Sequence, residues 1–503
     1  MKKIKRVLLI NPPDTRPPDM LVDKVRIGIV PPLGLAYIGA VLELNGFEVE
    51  ILDCVAEGQK DGKEFIAFDF DYENWHHNIR YGMEDFQISN AIKDCNPDLV
   101  GVSCLFSNKA YDAHNVCRLV KEVNPEIITV MGGSHPTAMP IETLKDKNVD
   151  YVNKGEGEII LASINEILKS CDSAKTSGIL NSVDVYYTVS NAYILKNLPF
   201  PARHLLNMPK YLYSESPHSG LKQVPATNIS TSRGCPGRCS FCAIRTTFGD
   251  AYRVRSPENV LSEIEHLINT YHIKELHFED DNLTANKKRA MTIFQGIIDR
   301  QYNLSLNSPS GLAIFAMDEE LLEKMVEAGY YSVSFAIESG VPWVLRNLMH
   351  KNVDLHKAKR LTRYARALGL KVKAFFILGY PGETKETMLQ TVDFAGELGA
   401  DWSLFFPATN LPGTEMDRIC RENNWLVDPN LDYRYYFYKP NIRTPEFEPG
   451  FVIEVKEEAN RLLNFKNNIN IREGKLDRAI DDFTEVLKIY PHLEYAQEAL
   501  RNL

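Results

Sequence analysis

The chain has 503 residues, 44% of them hydrophobic and 25% charged, the balance of a globular protein rather than of an extended disordered one. Lys and Arg number 57 against 67 Asp and Glu, and the net charge of −10 argues against a basic nucleic-acid-binding surface. Nine cysteines are too few for a disulfide scaffold, and at roughly 150 residues per domain the length predicts about three domains.

Two segments imitate membrane signals. Met1–Arg6 is basic, but only Val7–Ile10 follows before Asn11, Pro12 and Pro13, too short an apolar core for a signal peptide. The uncharged run Ile27–Leu42 falls short of the roughly 20 residues a membrane helix needs and carries Pro31 and Pro32. No transmembrane segment is expected, and a cytoplasmic location follows, with the scattered cysteines reduced.

Val7–Ile10 reads as a strand ending at Asn11, Leu35–Asn45 as a helix closed by Gly46, and Phe47–Leu52 as a strand ending at Asp53. Leu99–Ser103 (strand), Ala110–Val123 (helix), Ile127–Met131 (strand ending at Gly132-Gly133), Val149–Val152 (strand) and a helix from Glu158 continue the alternation. This pattern predicts an α/β fold with a doubly wound, Rossmann-like parallel sheet over residues 1–172. Ligands in such sheets sit outside the carboxyl ends of the strands, here Asn11, Asp53, Ser103, Gly132, Gly133 and Gly155. There is no G-x-G-x-x-G after the first strand and no phosphate loop. On residue pattern alone, the domain reads as a ligand site or as an interaction surface whose glycines merely serve tight turns.

Pro31-Pro32-Leu33-Gly34-Leu35-Ala36, Gly132-Gly133-Ser134-His135-Pro136 and Gly155-Glu156-Gly157-Glu158, in that order, resemble the cobalamin-binding domain that precedes many radical SAM domains. The resemblance implies cobalamin held near Asn11, Asp53, Ser103, Gly132, Gly133, Gly155 and Glu156. Asp112-x-His114 is similar to the D-x-H-x-x-G cobalt-ligand motif, but Cys117 stands where the glycine belongs and the motif follows the wrong strand. His114 is therefore not expected to be a ligand, and His135 reads as structural. Residues 173–221 follow as a small polar hairpin, Ser173–Lys196, and an extended linker, Leu198-Pro-Phe-Pro-Ala-Arg203, where X-Pro steps disfavour helix.

After a strand-like Thr227–Thr231, Cys235, Cys239 and Cys242 place thiols at i, i+4 and i+7. No fourth ligand lies close by, as a structural zinc or a ferredoxin cluster would require. Three thiolates on a cubane leave one iron open. Downstream, Ser256 caps a helix with Pro257 in its first turn and the stripe Val260, Ile264, Leu267, Ile268. Strands Glu275–Phe278, Leu304–Leu306, Tyr331–Ile337, Lys371–Leu378 and Trp402–Phe406 alternate with helices, one starting near Asn286 and one capped by Asp318 and stopped at Gly329. Six such units predict an open, partial (β/α)6 TIM-type barrel over residues 222–425.

C-x₃-C-x-φ-C with Phe241 in the aromatic position resembles the radical SAM superfamily. The resemblance implies a [4Fe–4S] cluster on Cys235, Cys239 and Cys242, with S-adenosylmethionine on its open iron near Phe241, Asp280, Asp281, Glu338, Ser339, Gly379 and Pro381. A plainer reading has Asp280 and Asp281 capping the next helix and Glu338 pairing with an arginine.

Residues 426–458 form an aromatic-rich connector, with Tyr433, Tyr435, Tyr436, Phe437 and Tyr438, that either caps the barrel toward substrate or packs on its open edge. In 459–503, Gly474, Leu476, Ala479, Phe483, Leu487 and Pro491 follow the spacing of one tetratricopeptide-like repeat, a small α-helical extension. One repeat cannot bury its own core, so it docks on the barrel or on a protein partner.

The joint resemblance implies a cobalamin-dependent radical SAM methyltransferase acting on an unactivated carbon or phosphorus centre through a 5′-deoxyadenosyl radical and methylcobalamin. A small-molecule or peptide substrate and a one-electron reductant such as flavodoxin or ferredoxin go with it. Two alternatives are a non-methylating cyclase or ring-rearranging enzyme with the same cofactors, and a cluster-bearing interaction protein using its helical repeat. A methylthiotransferase would carry a second cysteine triplet, whereas Cys54, Cys95, Cys104, Cys117 and Cys171 are dispersed.

Overall fold

The computed structural model describes residues 3–16, 28–58, 79–158, 164–165, 195, 198–214, 220–437, 439–489 and 493–503. The N-terminal strands β1 (Arg6–Asn11), β3 (Glu48–Asp53), β5 (Leu99–Ser103), β6 (Ile128–Gly132) and β7 (Tyr151–Asn153) form one parallel sheet in the order β3-β1-β5-β6-β7. The expected doubly wound topology is therefore present. Strand pleating explains it: Leu8, Ile10, Val100 and Val102 point into a cluster with Ile88, Ile92 and Val116, while Val7, Leu9 and Leu99 point into another with Leu35 and Leu42. The order reverses between β3 and β5 around β1, so the switch point lies at Asn11. A short antiparallel pair, β2 (Asp14–Arg16) with β4 (Ile79–Tyr81), was not expected from sequence. The anticipated hairpin at 173–196 lies outside the described residues apart from Leu195, as do Cys171, Tyr438 and Pro491.

The linker arginine Arg203 is buried and its guanidinium donates to Glu263 Oε1 at 2.6 Å and to the carbonyl of Asn228 at 2.8 Å, which fixes the crossing between the two halves.

The second half holds β8 (Ala226–Ile229), β11 (Glu275–Phe278) and β12 (Ser305–Asn307) in one parallel sheet, and β13 (Ser332–Glu338), β14 (Lys371–Leu378) and β15 (Trp402–Pro407) in another. Parallel bridges Leu306 to Tyr330 and Leu312 to Phe335 join them into a six-stranded arc in chain order. The caps read from sequence are present: Ser256 accepts from the Asn259 amide, Asn286 from Arg289 and Asp318 from Leu321. Along β14, Val372, Ala374, Phe376 and Leu378 are fully buried against helices, while Lys371, Lys373, Phe375 and Ile377 are partly exposed on the inner face.

One expectation is corrected and one is extended. The strand Thr227–Thr231 ends early, at Ile229, because Ser232–Arg233 (β9) turns aside to pair antiparallel with Arg253–Val254 (β10). The connector packs on the arc, with Leu426, Ile442, Phe447, Val452 and Val455 buried in the arc's core cluster, and its tyrosines reach further, to the N-terminal domain. Tyr433 meets the buried ring of His135 edge-on at 5.1 Å, and the Arg434 guanidinium lies 4.1 Å from the Tyr111 ring centroid, both on the N-terminal domain. The edge strand β15 is also bonded by Asn464, whose side-chain amide donates to the Ser403 carbonyl at 2.8 Å and accepts from the Ser403 amide at 2.8 Å.

The helical tail docks beneath the arc, through Asp401. This fully buried carboxylate accepts from the Val372 amide at 2.7 Å and the Asn470 amide at 3.1 Å, and pairs with Arg366 and Arg478, each at 3.4 Å. Ala479 and Phe483 are fully buried in the tail's own core, while Leu476 is exposed. Among the described residues, no helix is long and apolar enough to cross a membrane.

Asp401→Ala leaves Arg366 and Arg478 short of a buried counter-charge, and removing one partner of a buried pair costs about 3–5 kcal/mol. The expected outcome is a lower urea midpoint together with selective trypsin cleavage within 466–489 while the arc stays intact.

Candidate active site

The cysteine loop grows out of β9. Its base is held by two consecutive carboxylates at the end of β11. Asp280 accepts from the Thr231 amide at 3.1 Å, from the Thr231 hydroxyl at 2.7 Å and from the Ser232 hydroxyl, and Asp281 accepts from the Gly234 amide at 2.9 Å. Burial pushes Asp281 up to about 6. Neither aspartate caps the following helix, a task that falls to Asn286. Gly234 is required, since it has φ +81° and a Cβ there would lie 2.5 Å from the Ala251 carbonyl oxygen.

Cys235, Cys239 and Cys242 are partly exposed, whereas every other described cysteine is buried. A Cβ built on Gly237 would lie 3.4 Å from Cys235 Sγ and 3.8 Å from Cys239 Sγ, so both sulfurs line one small space that a side chain would fill. The Cys235 sulfur accepts from the Gly237 amide at 3.4 Å and from Asn282 Nδ2 at 3.5 Å. Burial pushes Cys242 up to about 12 and Cys239 upward. Among the described residues, no three His, Cys, Asp or Glu converge tightly enough for a single ion, and a cluster with separated irons takes thiolates set wider apart. Convergent, accessible sulfurs with N–H donors fit a cluster of net negative charge.

The other strand ends close on this loop. Tyr380 joins its hydroxyl to Ser240 Oγ at 2.6 Å and sets its ring edge-on to Phe241 at 6.5 Å. Ser240 Oγ also donates to the Leu348 carbonyl at 2.7 Å. This chain ties the Gly379–Glu383 turn to the cysteines. Within the turn, Gly379 has φ +76° and Pro381 is buried. Glu383 accepts from the Tyr380 amide at 2.8 Å, and burial pushes it up to about 8. Glu338 follows a bulge at the end of β13 with φ 73° and pairs with Lys351, not with an arginine, at 3.1 Å. Lys351 in turn lies 5.8 Å from the Phe241 ring centroid. Ser339 is fully buried, and its hydroxyl contacts Thr391 at 3.1 Å and accepts from the Val341 amide at 3.1 Å, which makes it part of the scaffold. Phe241, Glu338, Gly379 and Pro381 are thus gathered around the loop, and Asp280 and Asp281 brace it from below.

At the N-terminal sheet, Asn11 Nδ2 donates to Asp53 Oδ1 at 2.9 Å and the Tyr211 hydroxyl donates to Asp53 Oδ2 at 2.8 Å. Asp53 also caps the helix Cys54–Glu57. Ser103, Gly132 and Gly133 line the ends of β5 and β6; a Cβ on Gly133, with φ +118°, would sit 2.4 Å from the Cys104 carbonyl oxygen. Gly155 donates its amide to Thr137 Oγ1 at 2.9 Å. Beside Ser103, Leu105 and Phe106 are 54% and 53% exposed, an apolar ledge that fits a large, partly apolar cofactor. His114 pairs with Asp146 at 2.7 Å. His135 contacts Ser107 Oγ through Nδ1 at 3.0 Å, and burial pushes it down to about 4, so it is neutral.

Glu156 is the clearest departure from expectation. Its carboxylate is buried between Arg233 and Arg253, and Glu158 Oε1 takes the second Arg233 nitrogen at 2.6 Å. The Gly155–Glu158 turn therefore grips the strand that leads into Cys235. Sequence reasoning missed Arg233, Arg253, Lys351, Tyr380 and Asn282. Asn282, next to the two flagged aspartates, and Tyr380, between the flagged Gly379 and Pro381, carried a local signal.

Comparison with known proteins agrees with this division. Residues 21–165 match the B12 binding domain family and residues 229–395 match the Radical SAM superfamily. The chain is 34% identical to the cytidylyl-2-hydroxyethylphosphonate methyltransferase of Streptomyces wedmorensis, over 94% of this chain and 91% of that one. It is 30% identical to an uncharacterized methyltransferase of Pyrococcus horikoshii, over 85% and 86%. Its fold is similar to that of TsrM from Kitasatospora setae, a radical S-adenosylmethionine methyltransferase solved with cobalamin and a [4Fe–4S] cluster, with TM-score 0.64, 20% identity and 91% of each chain covered.

Glu156→Ala removes one of two carboxylates shared by two buried guanidinium groups, at an expected cost of about 3–5 kcal/mol. Calorimetry should show two separated unfolding transitions in place of one, with the N-terminal domain released first, and Glu156→Gln should fall between the variant and the parent.

Proposed function

Since the chain belongs to the cobalamin-dependent radical SAM family and is a methyltransferase of it, we propose that Cys235, Cys239 and Cys242 hold the [4Fe–4S] cluster and that the six-stranded arc is the partial (β/α)6 barrel that holds S-adenosylmethionine. The observation that carries this reading is the set of three accessible thiols at the carboxyl end of β8, met there by the ends of β11, β13 and β14. When bound, the cluster, S-adenosylmethionine and cobalamin supply one-electron radical chemistry and the methyl group.

The chain's own residues position and seal. Asn282 and the Gly237 amide stabilise negative charge on the Cys235 sulfur. The Lys351–Glu338 pair presents both signs of charge beside Phe241, a match for the amino and carboxylate groups of a methionine moiety. The Tyr380–Ser240 link holds the Gly379–Glu383 turn over the loop and excludes water. The ends of β5 and β6, with the Leu105–Phe106 ledge, support the assignment of residues 1–172 to cobalamin, and Asn11 and Asp53 act there as a paired brace. Residues 173–221 link the two halves, 222–425 form the radical SAM core, 426–458 pack on that core and reach the cobalamin domain through Tyr433 and Arg434, and 459–503 form a single repeat-like helical unit docked in cis. Resemblance to the Streptomyces enzyme over most of both chains supports a small phosphonate ester as substrate. A flavodoxin- or ferredoxin-type reductant in the cytoplasm completes the reading.

The test is anaerobic turnover of reconstituted enzyme with reductant, S-adenosylmethionine, methylcobalamin and cytidylyl-2-hydroxyethylphosphonate. A product heavier by one CH₂ unit, formed together with 5′-deoxyadenosine and lost in Cys239→Ala, is the expected result. A cyclised or dehydrogenated product would sink the reading. Asn282→Leu should lower the cluster's midpoint potential by about 20–60 mV, the one-electron equivalent of one weak hydrogen bond, as read by redox titration followed by EPR.

A further inference from the structure

The inner face of the arc carries a lysine, Lys373, that no described residue meets with a hydrogen bond or ion pair. Lys373 lies on β14 beside Ser334 of β13 and Trp402 of β15, in register with both. Its ammonium group makes no hydrogen bond or ion pair with any described residue, although it is only partly exposed. The carboxylates beneath it are already committed, because Lys371 takes Asp482 at 2.6 Å and Glu485 at 3.1 Å from the tail. Burial and the charge of Lys371 push Lys373 down from the ordinary lysine range, and the more distant charges of Glu485 and Asp482 oppose that shift without cancelling it.

What surrounds it is amphipathic. The buried hydroxyl of Ser332, on the same face one pleat below Ser334, has no partner. Above, Phe375 and Phe406 meet edge-on at 6.1 Å, and Phe406 is 49% exposed at the carboxyl end of β15. Leu404 continues that wall. An anion at Lys373 would extend its organic part along this wall toward the end of the arc that carries the cysteines.

We propose that Lys373 is the specificity residue that anchors the substrate through a tetrahedral oxyanion, a phosphonate or phosphate group, with Ser332 and Ser334 as neighbouring hydroxyl donors and Phe375 and Phe406 against the organic body. The proposal rests on the methyl-transfer reading for its assignment of this face to substrate. A lysine binds such a group as a point charge, so a guanidinium in its place should serve nearly as well, and a neutral side chain should not.

The test is calorimetric titration of the reconstituted holoenzyme with methylphosphonate, inorganic phosphate and acetate in turn. The expected result is saturable binding of the first two, weaker binding of acetate, and loss of affinity by about tenfold or more in Lys373→Met with near-parental affinity in Lys373→Arg. A measurement on the unaltered protein guards against misfolding of the variants: acylation of Lys373, followed by peptide mass spectrometry, should slow when methylphosphonate is present. No binding to the parent protein, equal affinity in Lys373→Met, or an acylation rate indifferent to methylphosphonate would each overturn the proposal. A protein that shields Lys373 with phosphonate yet never yields a methylated product keeps this site and loses the methyl-transfer reading, and methylation with binding indifferent to Lys373 does the reverse.

Discussion

Everything at the cluster loop depends on Arg233. Two residues before Cys235, its guanidinium is buried between Glu156 and Glu158 of the N-terminal domain, and Arg253, its neighbour across the β9–β10 pair, shares Glu156. Two cations and two anions balance, so no net charge is left in the interface. Each ion loses several kcal/mol of hydration on burial, which only close, well-aligned partners offset. Such an interface tolerates one geometry and penalises the rest. It therefore sets how the B12 binding domain stands against the cysteine loop more tightly than a chain connection could. A second lock, Glu263 between Arg203 and Arg255 with the Tyr37 hydroxyl on Arg255, repeats the design along the first helix of the N-terminal sheet.

What was legible in the sequence is what local chemistry determines. The strand of Glu275–Phe278, the helix of Ala110–Val123 and the caps Ser256 and Asp318 fall where periodicity and capping put them, because each is decided within a few residues. The cysteine spacing is local in the same way. The clamp made by Glu156 was not legible because its partner Arg233 lies 77 residues away, and Gly-Glu-Gly-Glu reads equally well as a ligand turn or as a clamp. The contacts of the aspartates after Phe278 with Thr231 and Gly234 were hidden in the sequence, since only the folded chain brings those residues together. The aromatic connector was legible only in part: its apolar residues pack on the arc as read, but tyrosines advertise burial without naming the surface, and Tyr433 meets His135.

The tail shows how polar residues can carry an interface that sequence patterning would leave in solvent. Asn464, Asn468 and Asn470 are all three buried. An amide side chain offers a donor and an acceptor, and Asn464 uses both to continue the hydrogen-bond ladder of β15 by one rung. The exposed edge of a parallel sheet is thereby closed without another strand. Asp401 then collects Val372, Asn470, Arg366 and Arg478, so the tail and the arc share one charged hub.

These contacts give the arc a direction. Its amino end is covered by the tail, where Asp482 and Glu485 take up Lys371. Its carboxyl end carries the accessible sulfurs of Cys235, Cys239 and Cys242 and faces the domain held by Glu156 and Glu158. Along the inner face between them, polarity falls from Lys373 and Ser334 through Phe375 and Leu404 to Phe406. With the anion anchor proposed at Lys373, that gradient would orient a substrate with one charged end and one apolar end, its charge down toward the tail and its unactivated centre up toward the cysteines. Reactive chemistry at the open end is then met by the part of the substrate that has no charge to solvate, and water has the least reason to follow it in.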